Sequence, residues 1–294
     1  MDMIIKTVVK KNNRNFNPVI ISSRRNPLVK RLRTILSKAG RDQYGMLLLE
    51  GTHLLQEAFK TKYIPKEIIA TTSWLKKNDT LLDDLPLESK IFEVTQSVLE
   101  AVLTTVHPDG VASLFPVSGL PISPDNPSFV LALDRIQDPG NLGNLFRTAL
   151  AADVENIWMA SGADPLNQKV LRSSVGAVLK MPYERLGLNE NNSVEELQKK
   201  LKIAVQEGFQ IIATSTQRKK SNMEIMPYWD IDWNKPTVLL LGNEGSGLHP
   251  DIESCCTSVV TLPHSDSIES LNVAAVAVPL LLERQRVKMT LGIH

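Results

Sequence analysis

Residues 237–248 read TVLLLGNEGSGL, an apolar run that leads directly into a glycine-rich loop. The apolar run predicts a strand that is buried on both faces, as in parallel sheets. Glycines at positions 242, 245 and 247 permit positive φ angles and a close approach of the backbone to a ligand. The loop has neither the GxGxxG spacing of dinucleotide-binding proteins nor the lysine of a P-loop. It therefore predicts a tight site for a neutral, adenine-bearing ligand, with a purely structural turn as the alternative.

Strands and helices alternate on both sides of this segment. Predicted strands lie at 129–134, 157–160, 209–214 and 258–262. Predicted helices lie at 142–152, 165–175, 194–205, 251–255 and 271–286. This alternation predicts an α/β fold with a mainly parallel sheet that is covered by helices on both faces. Ligands in such sheets bind where the strands end and the loops begin.

A second polar segment follows the first predicted strand of this unit and reads DRIQDPGNLGNLFR at 134–147. Asn141 is expected to cap the helix that follows. Asn144 and Arg147 are three residues apart, so an amide and a guanidinium lie close together on that helix. These two groups can orient a hydroxyl and bind a phosphate, or they belong to an ordinary solvated helix.

A third polar segment reads LPHSDSIESLNV at 262–273 and precedes an alanine-rich helix. Ser267 or Ser270 is expected to cap this helix. We interpret His264 as a loop residue rather than a catalytic base, because no carboxylate partner lies at a useful spacing in the sequence.

The N-terminal part of the chain predicts a smaller α/β unit of about a hundred residues. A helix is expected from Asn26 and Pro27, with one apolar stripe through Leu28, Leu32, Ile35, Leu36 and Ala39. Strands are predicted at 46–50, 64–71, 91–94 and 111–115, with a helix at 98–103. The proline-rich stretch PVSGLPISPDNP then predicts a linker. The expected organisation is a flexible basic segment (1–19), a substrate-binding domain (20–115), a linker (116–127) and a catalytic domain (128–294).

Charge is distributed unevenly along the chain. Residues 1–41 carry eleven basic residues and one acidic residue, whereas the remainder carries 22 basic and 31 acidic residues. A basic arm on a mildly acidic body indicates an end that binds a polyanion, or alternatively a solvated tail or a targeting peptide.

Cysteine and histidine usage argues against structural metal and disulfide chemistry. The two cysteines, Cys255 and Cys256, are adjacent, and the histidines are scattered without ligand spacing. We therefore expect a reduced, intracellular protein without a structural metal. No run of about 18 apolar residues occurs, so we expect no transmembrane helix.

Taken together, the three polar segments resemble the SpoU family of RNA ribose methyltransferases, within the SPOUT superfamily. The resemblance rests on N-x-G-N-x-x-R at 141–147, L-G-N-E-G-x-G-L at 241–248 and S-L-N-V at 270–273. The N-terminal unit resembles the family's substrate-binding domain, through NPLVKRLR at 26–33 and LEG at 49–51. Together the similarity covers about residues 20–287.

The resemblance implies a fold and an activity. The fold is an α/β methyltransferase domain with a C-terminal trefoil knot, which binds S-adenosylmethionine largely through backbone groups. The activity is methylation of ribose 2′-hydroxyls in ribosomal or transfer RNA, without a metal, by a homodimer whose active site lies near the subunit interface. Two alternatives stay open: an inactive RNA-binding or assembly protein on the same fold, and an RNA base methyltransferase.

The resemblance also implies roles for individual residues. The motif residues expected at the catalytic centre are Asn141, Arg147, Glu244, Ser270 and Asn272. The positions expected to contact the cofactor are Thr214, Gly242, Leu262 and Leu271. The basic arm becomes an RNA-binding element with Arg24, Arg25, Lys30, Arg31 and Arg33.

The chain departs from the family pattern in the third motif, where His264 and Asp266 replace the usual methionine and glycine. This departure leaves the cofactor affinity open. The expected compartment is the cytoplasm, or a chloroplast or mitochondrion if the basic N-terminus is part of a targeting peptide.

Overall fold

The computed structural model describes residues 19–83, 85–187, 190–214, 225–265, 267–268 and 270–292. The expected basic segment at 1–19 lies outside the described residues except for its last residue, and so does Asp266. The chain forms two compact units. The first comprises Met1–Leu120 with Leu166–Leu171, and the second comprises Pro121–Pro165 with Arg172–His294.

The N-terminal unit is built on a four-stranded mixed sheet. Its strands are β1 (Met46–Glu50), β2 (Glu67–Ala70), β3 (Lys90–Glu93) and β4 (Val111–Pro116), in the order β1-β4-β2-β3. Strand β4 runs antiparallel to β1 and β2, whereas β2 and β3 are parallel. The helices are α1 (Pro27–Ile35), α2 (Lys38–Tyr44), α3 (Thr52–Lys60), α4 (Thr72–Lys77) and α5 (Gln96–Glu100).

Helix α1 begins as predicted but ends earlier than its apolar stripe suggested. The Asn26 side chain accepts a hydrogen bond of 2.9 Å from the Leu28 N–H and caps the helix. The Ser37 hydroxyl caps the next helix, α2, so the two helices are separate. Ala39 is therefore exposed, and its predicted place in the stripe is wrong. The local cap interrupts a periodicity that the sequence pattern treats as continuous.

The C-terminal unit contains a seven-stranded sheet in which every described strand pair is parallel, so the predicted parallel α/β architecture is confirmed. The strand order is β7-β6-β5-β10-β8-β11-β9. These strands are β5 (Phe129–Leu133), β6 (Asn156–Met159), β7 (Tyr183–Arg185), β8 (Gln210–Thr214), β9 (Ile225–Pro227), β10 (Thr237–Leu241) and β11 (Ser258–Thr261).

The two outermost strands, β7 and β9, were not predicted from the sequence. Each has three residues, which is too short to establish an apolar periodicity. Edge strands are also held by one neighbour only and need no continuous apolar run. By contrast, the central strands β5 and β10 are buried at all five positions, as their apolar runs predict.

Helices cover both faces of this sheet. The helices of this unit are α6 (Pro139–Ala151), α8 (Glu190–Gln206), α9 (Pro250–Glu253) and α10 (Val273–Thr290), whereas the short helix α7 (Gln168–Ser173) begins in the first unit and ends in the second. Leu197, Leu201 and Ile252, from helices α8 and α9, pack on the face that contains Val130 and Leu240. The alternate residues of the same strands point to the opposite face and are also buried.

Two features bear on the earlier expectations about cysteine and membranes. Cys255 and Cys256 are buried and carry free thiols. Within the described part of the chain, none of the helices combines the length and the apolar character that a bilayer crossing requires.

Candidate active site

The parallel sheet brings the three polar segments to one edge, because β5, β10 and β11 all end there. Together the loops line a cavity of about 880 Å³. Among the positions expected to bind the cofactor or form the catalytic centre, those lining it are Asn141, Thr214, Gly242, Glu244, Leu262, Ser270, Leu271 and Asn272. Eight of the nine positions expected to bind the cofactor or form the catalytic centre therefore lie together, and only Arg147 does not line the cavity.

The loop after β10 is closed by its own hydrogen bonds. The backbone groups of Asn243 and Gly247 bond to each other twice, both at 3.0 Å. The Asn243 Oδ1 accepts hydrogen bonds from the N–H groups of Gly245 (3.0 Å) and Ser246 (2.9 Å). A Cβ atom on Gly242 would lie 2.5 Å from the carbonyl carbon of Gly247, so no larger residue fits without moving the backbone. Gly242 therefore serves close packing, whereas Gly247 provides a positive φ of 67°.

Asn141 joins all three segments. Its Nδ2 donates to the Glu244 carboxylate at 3.0 Å, and its Oδ1 accepts from the Asn272 Nδ2 at 2.9 Å. The sequence suggested instead that Asn141 caps helix α6. The structure gives that role to Asp138, whose carboxylate accepts from the Asn141 N–H at 2.8 Å. Because the cap is three residues earlier, the Asn141 side chain is free to bond across the site.

Asn272 caps helix α10, in place of the predicted Ser267 or Ser270. Its Oδ1 accepts hydrogen bonds from the N–H groups of Ala274 (2.9 Å) and Ala275 (3.2 Å). Its Nδ2 remains available for Asn141, so one amide satisfies a helix end and orients the site at the same time. Ser270 lines the cavity and is exposed.

Glu244 is held as a carboxylate. Burial disfavours the charge, but hydrogen bonds from the Asn141 amide and from backbone N–H groups outweigh it and hold the pKa of Glu244 below its ordinary value. The backbone donors include Gln137 and Asp138, each at 3.2 Å. Glu244 is therefore negatively charged at neutral pH.

The cavity lining is acidic, polar and partly apolar. Glu244 and Glu253 supply carboxylates, and the described lining residues include neither lysine nor arginine. Leu262, Leu271 and Val276 supply apolar surface, while the loop after β10 supplies backbone N–H and C=O groups. This set of groups suits a ligand with a positive charge and a flat apolar part, and it is poorly suited to a phosphate.

His264 also lines the cavity, and its orientation is set within its own loop. Its Nδ1 lies 2.8 Å from the carbonyl oxygen of Leu262. Because a carbonyl can only accept a hydrogen bond, the Nδ1 atom carries the proton. His264 thus places a polar ring in the cavity wall.

Arg147 lies on helix α6, and its side chain is exposed. It follows Asn141 by six residues, which corresponds to about 9 Å along the helix axis. The described residues include no hydrogen-bond partner for its guanidinium. Arg147 is thus positioned to meet a ligand that approaches from outside the cavity.

In the N-terminal unit, four of the five predicted RNA-binding cations line one shallow pocket of about 490 Å³, together with Asn26 and Thr34. These four are Arg24, Arg25, Lys30 and Arg33. The fifth cation, Arg31, forms a two-point ion pair with Glu67 instead. The Nε atoms of two pocket arginines donate to backbone carbonyls: Arg24 to Ser97 at 3.2 Å and Arg33 to Ala101 at 2.6 Å.

Residues 128–282 match the family model of the SpoU rRNA methylase family. The chain belongs to this family. A second model, the MRM3-like substrate binding domain, matches residues 26–113. The SpoU match contains all three segments of the cavity. The substrate-binding match contains three of the five predicted RNA-binding cations, Lys30, Arg31 and Arg33, and excludes Arg24 and Arg25.

Relatives of this SpoU chain match it over nearly its whole length. An uncharacterized tRNA/rRNA methyltransferase of Synechocystis is 39% identical over 269 residues, covering 90% of this chain and 93% of the relative. A 23S rRNA (guanosine(2553)-2′-O)-methyltransferase of Bacillus subtilis is 30% identical over 262 residues, covering 89% and 97%. The solved structure of an AdoMet-bound rRNA methyltransferase from Sinorhizobium meliloti gives a TM-score of 0.73 at 25% identity, covering 92% and 98%.

Sequence reasoning missed some residues that shape this SpoU site. Asn243 closes the loop after β10, and Asp134 and Arg135 contact that loop from the end of β5. These three residues lie inside the polar segments identified from the sequence, but only their hydrogen-bond partners in the fold distinguish them from other polar loop residues. Gly242 was predicted because the glycine residue type signals a close approach and because the family resemblance assigns its position a cofactor contact.

Proposed function

We propose that this chain transfers a methyl group from S-adenosylmethionine to the 2′-hydroxyl of a ribose in ribosomal or transfer RNA. Family membership and the names of the relatives support this activity. The observation that carries the proposal is the convergence of three loops on one acidic cavity, with Asn141 bonded to both Glu244 and Asn272.

The residues lining the cavity fit S-adenosylmethionine. Thr214, Gly242, Leu262 and Leu271 would hold it, together with the backbone of the loop after β10. The carboxylates of Glu244 and Glu253 offset the positive charge of a sulfonium and an ammonium group. When bound, the donor supplies an electrophilic methyl group on a positively charged sulfur. The site itself therefore needs to orient the acceptor and stabilise its developing negative charge.

Arg147 would perform that task from the rim. A ribose hydroxyl is a weak nucleophile at neutral pH, and a nearby cation stabilises the negative charge that develops on its oxygen. Because a guanidinium stays protonated, Arg147 acts in this proposal by electrostatic stabilisation and positioning rather than as a base. The Ser270 hydroxyl, Asn141 and Asn272 would orient the acceptor.

The substrate would be bound by the pocket of Arg24, Arg25, Lys30 and Arg33. Cations that contact phosphates supply affinity without sequence specificity, and such binding weakens with salt. Arg31 contributes less in this proposal, because Glu67 already neutralises it.

A homodimer remains part of the proposal. Helix α10 and the residue run before it expose an apolar stripe of Leu271, Val278, Leu282 and Met289. Leu271 also lines the cavity, so a second copy covering this stripe would lie beside the site. The trefoil knot and the compartment, whether cytoplasm, chloroplast or mitochondrion, stay predictions.

The test is transfer of a tritiated methyl group from S-adenosylmethionine to total RNA, followed by mapping of ribose methylation. We expect label at ribose 2′-oxygens, and an Arg147→Ala variant should lose at least about a hundredfold in rate. Label on bases would support the base methyltransferase instead. RNA binding without any transfer by the wild-type chain would support an inactive RNA-binding protein.

A further inference from the structure

Two adjacent residues at the end of β5 contact the loop after β10 without lining the cavity. Asp134 is completely buried, and its carboxylate accepts from the Arg135 Nε (2.8 Å), from the Arg135 Nη2 (3.1 Å) and from the His249 N–H (2.7 Å). The Asp134 N–H donates to the Leu241 carbonyl at 2.9 Å, where β10 ends. A buried carboxylate is thus fixed beside the start of the loop.

Arg135 reaches both ends of that loop. Its carbonyl oxygen accepts from the Asn243 Nδ2 at 2.9 Å, and its Nη2 lies 3.4 Å from the Gly247 carbonyl oxygen. Asn243 in turn holds the N–H groups of Gly245 and Ser246. The loop conformation that offers backbone groups to the cavity is therefore supported by one arginine in addition to the loop's own hydrogen bonds.

The backbone of Arg135 is left-handed, with φ of 57°. This conformation disfavours a residue with a side chain, and it persists only where surrounding contacts impose it. Here it lets the same residue present its carbonyl to Asn243 and return its guanidinium to Asp134. A glycine would adopt this φ more readily but could make only the backbone contact.

We infer that Asp134 and Arg135 are positioning residues for the cofactor, acting as a clasp on residues 243–247. Asp134 fixes the guanidinium of Arg135, and Arg135 fixes the loop whose backbone faces the ligand. The inference rests on the proposed function. It predicts that loss of the clasp weakens binding of S-adenosylmethionine and leaves the rate at saturating donor unchanged, because neither residue reaches the cavity.

Two variants test the clasp. Arg135→Lys keeps the positive charge but loses the planar fork that reaches both Asp134 and Gly247. The double variant Asp134→Asn with Arg135→Gly removes the guanidinium contacts of the clasp and keeps only the backbone contact to Asn243. It leaves no buried unpaired charge and places at 135 a residue suited to the left-handed backbone. Lys62→Gly is the matched control, because Lys62 has φ of 58° and is exposed in the N-terminal unit.

Calorimetric binding of S-adenosylmethionine should weaken about tenfold in both variants, as expected from the loss of one charge-assisted contact, and should be unchanged in Lys62→Gly. The KM for S-adenosylmethionine should rise by a similar factor in both variants, while kcat stays the same. A merely structural role would instead lower kcat with the folded fraction and leave KM unchanged. An unchanged dissociation constant in the double variant would overturn the inference.

Amide hydrogen exchange of the chain without ligand tests the clasp independently of the proposed function. The N–H groups of Gly245, Ser246 and Gly247 should exchange faster in both variants, whereas those of β10 should not. Unchanged exchange in the loop would overturn the clasp even if the wild-type chain binds S-adenosylmethionine. Faster loop exchange in a chain that fails to bind it would support the clasp and count against the proposed function alone.

Discussion

The side-chain amides of Asn141 and Asn272 form a hydrogen bond of 2.9 Å, although 131 positions separate the two residues in sequence. Asn141 also bonds to Glu244, so the three polar segments share one row of hydrogen bonds. The row runs from the carboxylate of the loop after β10 to the N-terminus of helix α10. Each side chain in this row orients its neighbour. Asn141 bonds to both of the others, so we expect substitution at Asn141 to disturb the site most.

Replacing Asn141 with alanine should weaken binding of S-adenosylmethionine by up to about thirtyfold, since two hydrogen bonds worth about 1 kcal/mol each are lost from the site. The melting temperature should change little, because these bonds are exposed at the cavity. Isothermal calorimetry measures the affinity. Asn144→Ala, on the same helix but outside the cavity lining, is the control. Equal affinity in both variants would contradict a role for Asn141 in the site.

Glu244 should make stability depend on pH on the acid side. Its pKa is lowered from the ordinary value of 4.5, so its ionised form stabilises the fold above that value, and this contribution is lost as the pH falls through the lowered pKa. The free energy of unfolding, measured with urea at about pH 6 and about pH 3, should fall less between these two pH values in Glu244→Gln than in the wild type. Glu207→Gln, at an exposed site, should behave like the wild type. The prediction is refuted if the unfolding free energy of Glu244→Gln falls as much as that of the wild type.

Arg31 and Lys30 are neighbours in sequence but should respond differently to alanine. Arg31→Ala breaks the ion pair with Glu67 and should lower the free energy of unfolding by up to about 1 kcal/mol. Lys30→Ala should leave stability unchanged and reduce the dependence of RNA affinity on salt, by about 0.7–0.9 in the log–log slope. Filter binding across a salt series measures the slope. The assignment fails if Arg31→Ala reduces it as much as Lys30→Ala does.

The exposed stripe of helix α10 predicts the oligomeric state. Leu282 is 39% exposed, and Leu282→Asp should convert a dimer to a monomer because a buried carboxylate at an interface is costly. Sedimentation velocity reads out the change directly. Ile203→Asp is the matched control, since Ile203 is 53% exposed on helix α8 and lies outside the stripe. A wild-type chain that sediments as a monomer would refute the homodimer.

Thiol reactivity should report on the core beside the site. Burial raises the pKa of the Cys256 thiol to about 12, so at pH 8 only about one molecule in ten thousand is a thiolate. The native chain should therefore react very slowly at Cys256 with a disulfide reagent. Urea should expose both cysteines and restore rapid reaction. Rapid labelling of Cys256 in the native chain would show that this part of the core opens readily.

The sequence was sufficient to predict the parallel sheet and its central strands. Strands β5 and β10 are buried on both faces, and only continuous apolar runs satisfy that requirement. The short strands β7 and β9 escaped prediction, because three residues carry no period and their place depends on one neighbouring strand. The predicted apolar stripe was wrong at Ala39, because Ser37 has an extended backbone and caps a new helix there.

For the site, the sequence by itself determined which residue types are present and which segments contain them. The tertiary structure decided how those residues are used. Asp138 rather than Asn141 caps helix α6, which leaves the Asn141 amide for Glu244 and Asn272. The tertiary structure also places Arg135 in contact with the loop after β10. Hydrogen bonds between residues more than a hundred positions apart depend on the folded path of the chain, and local sequence patterns do not predict that path.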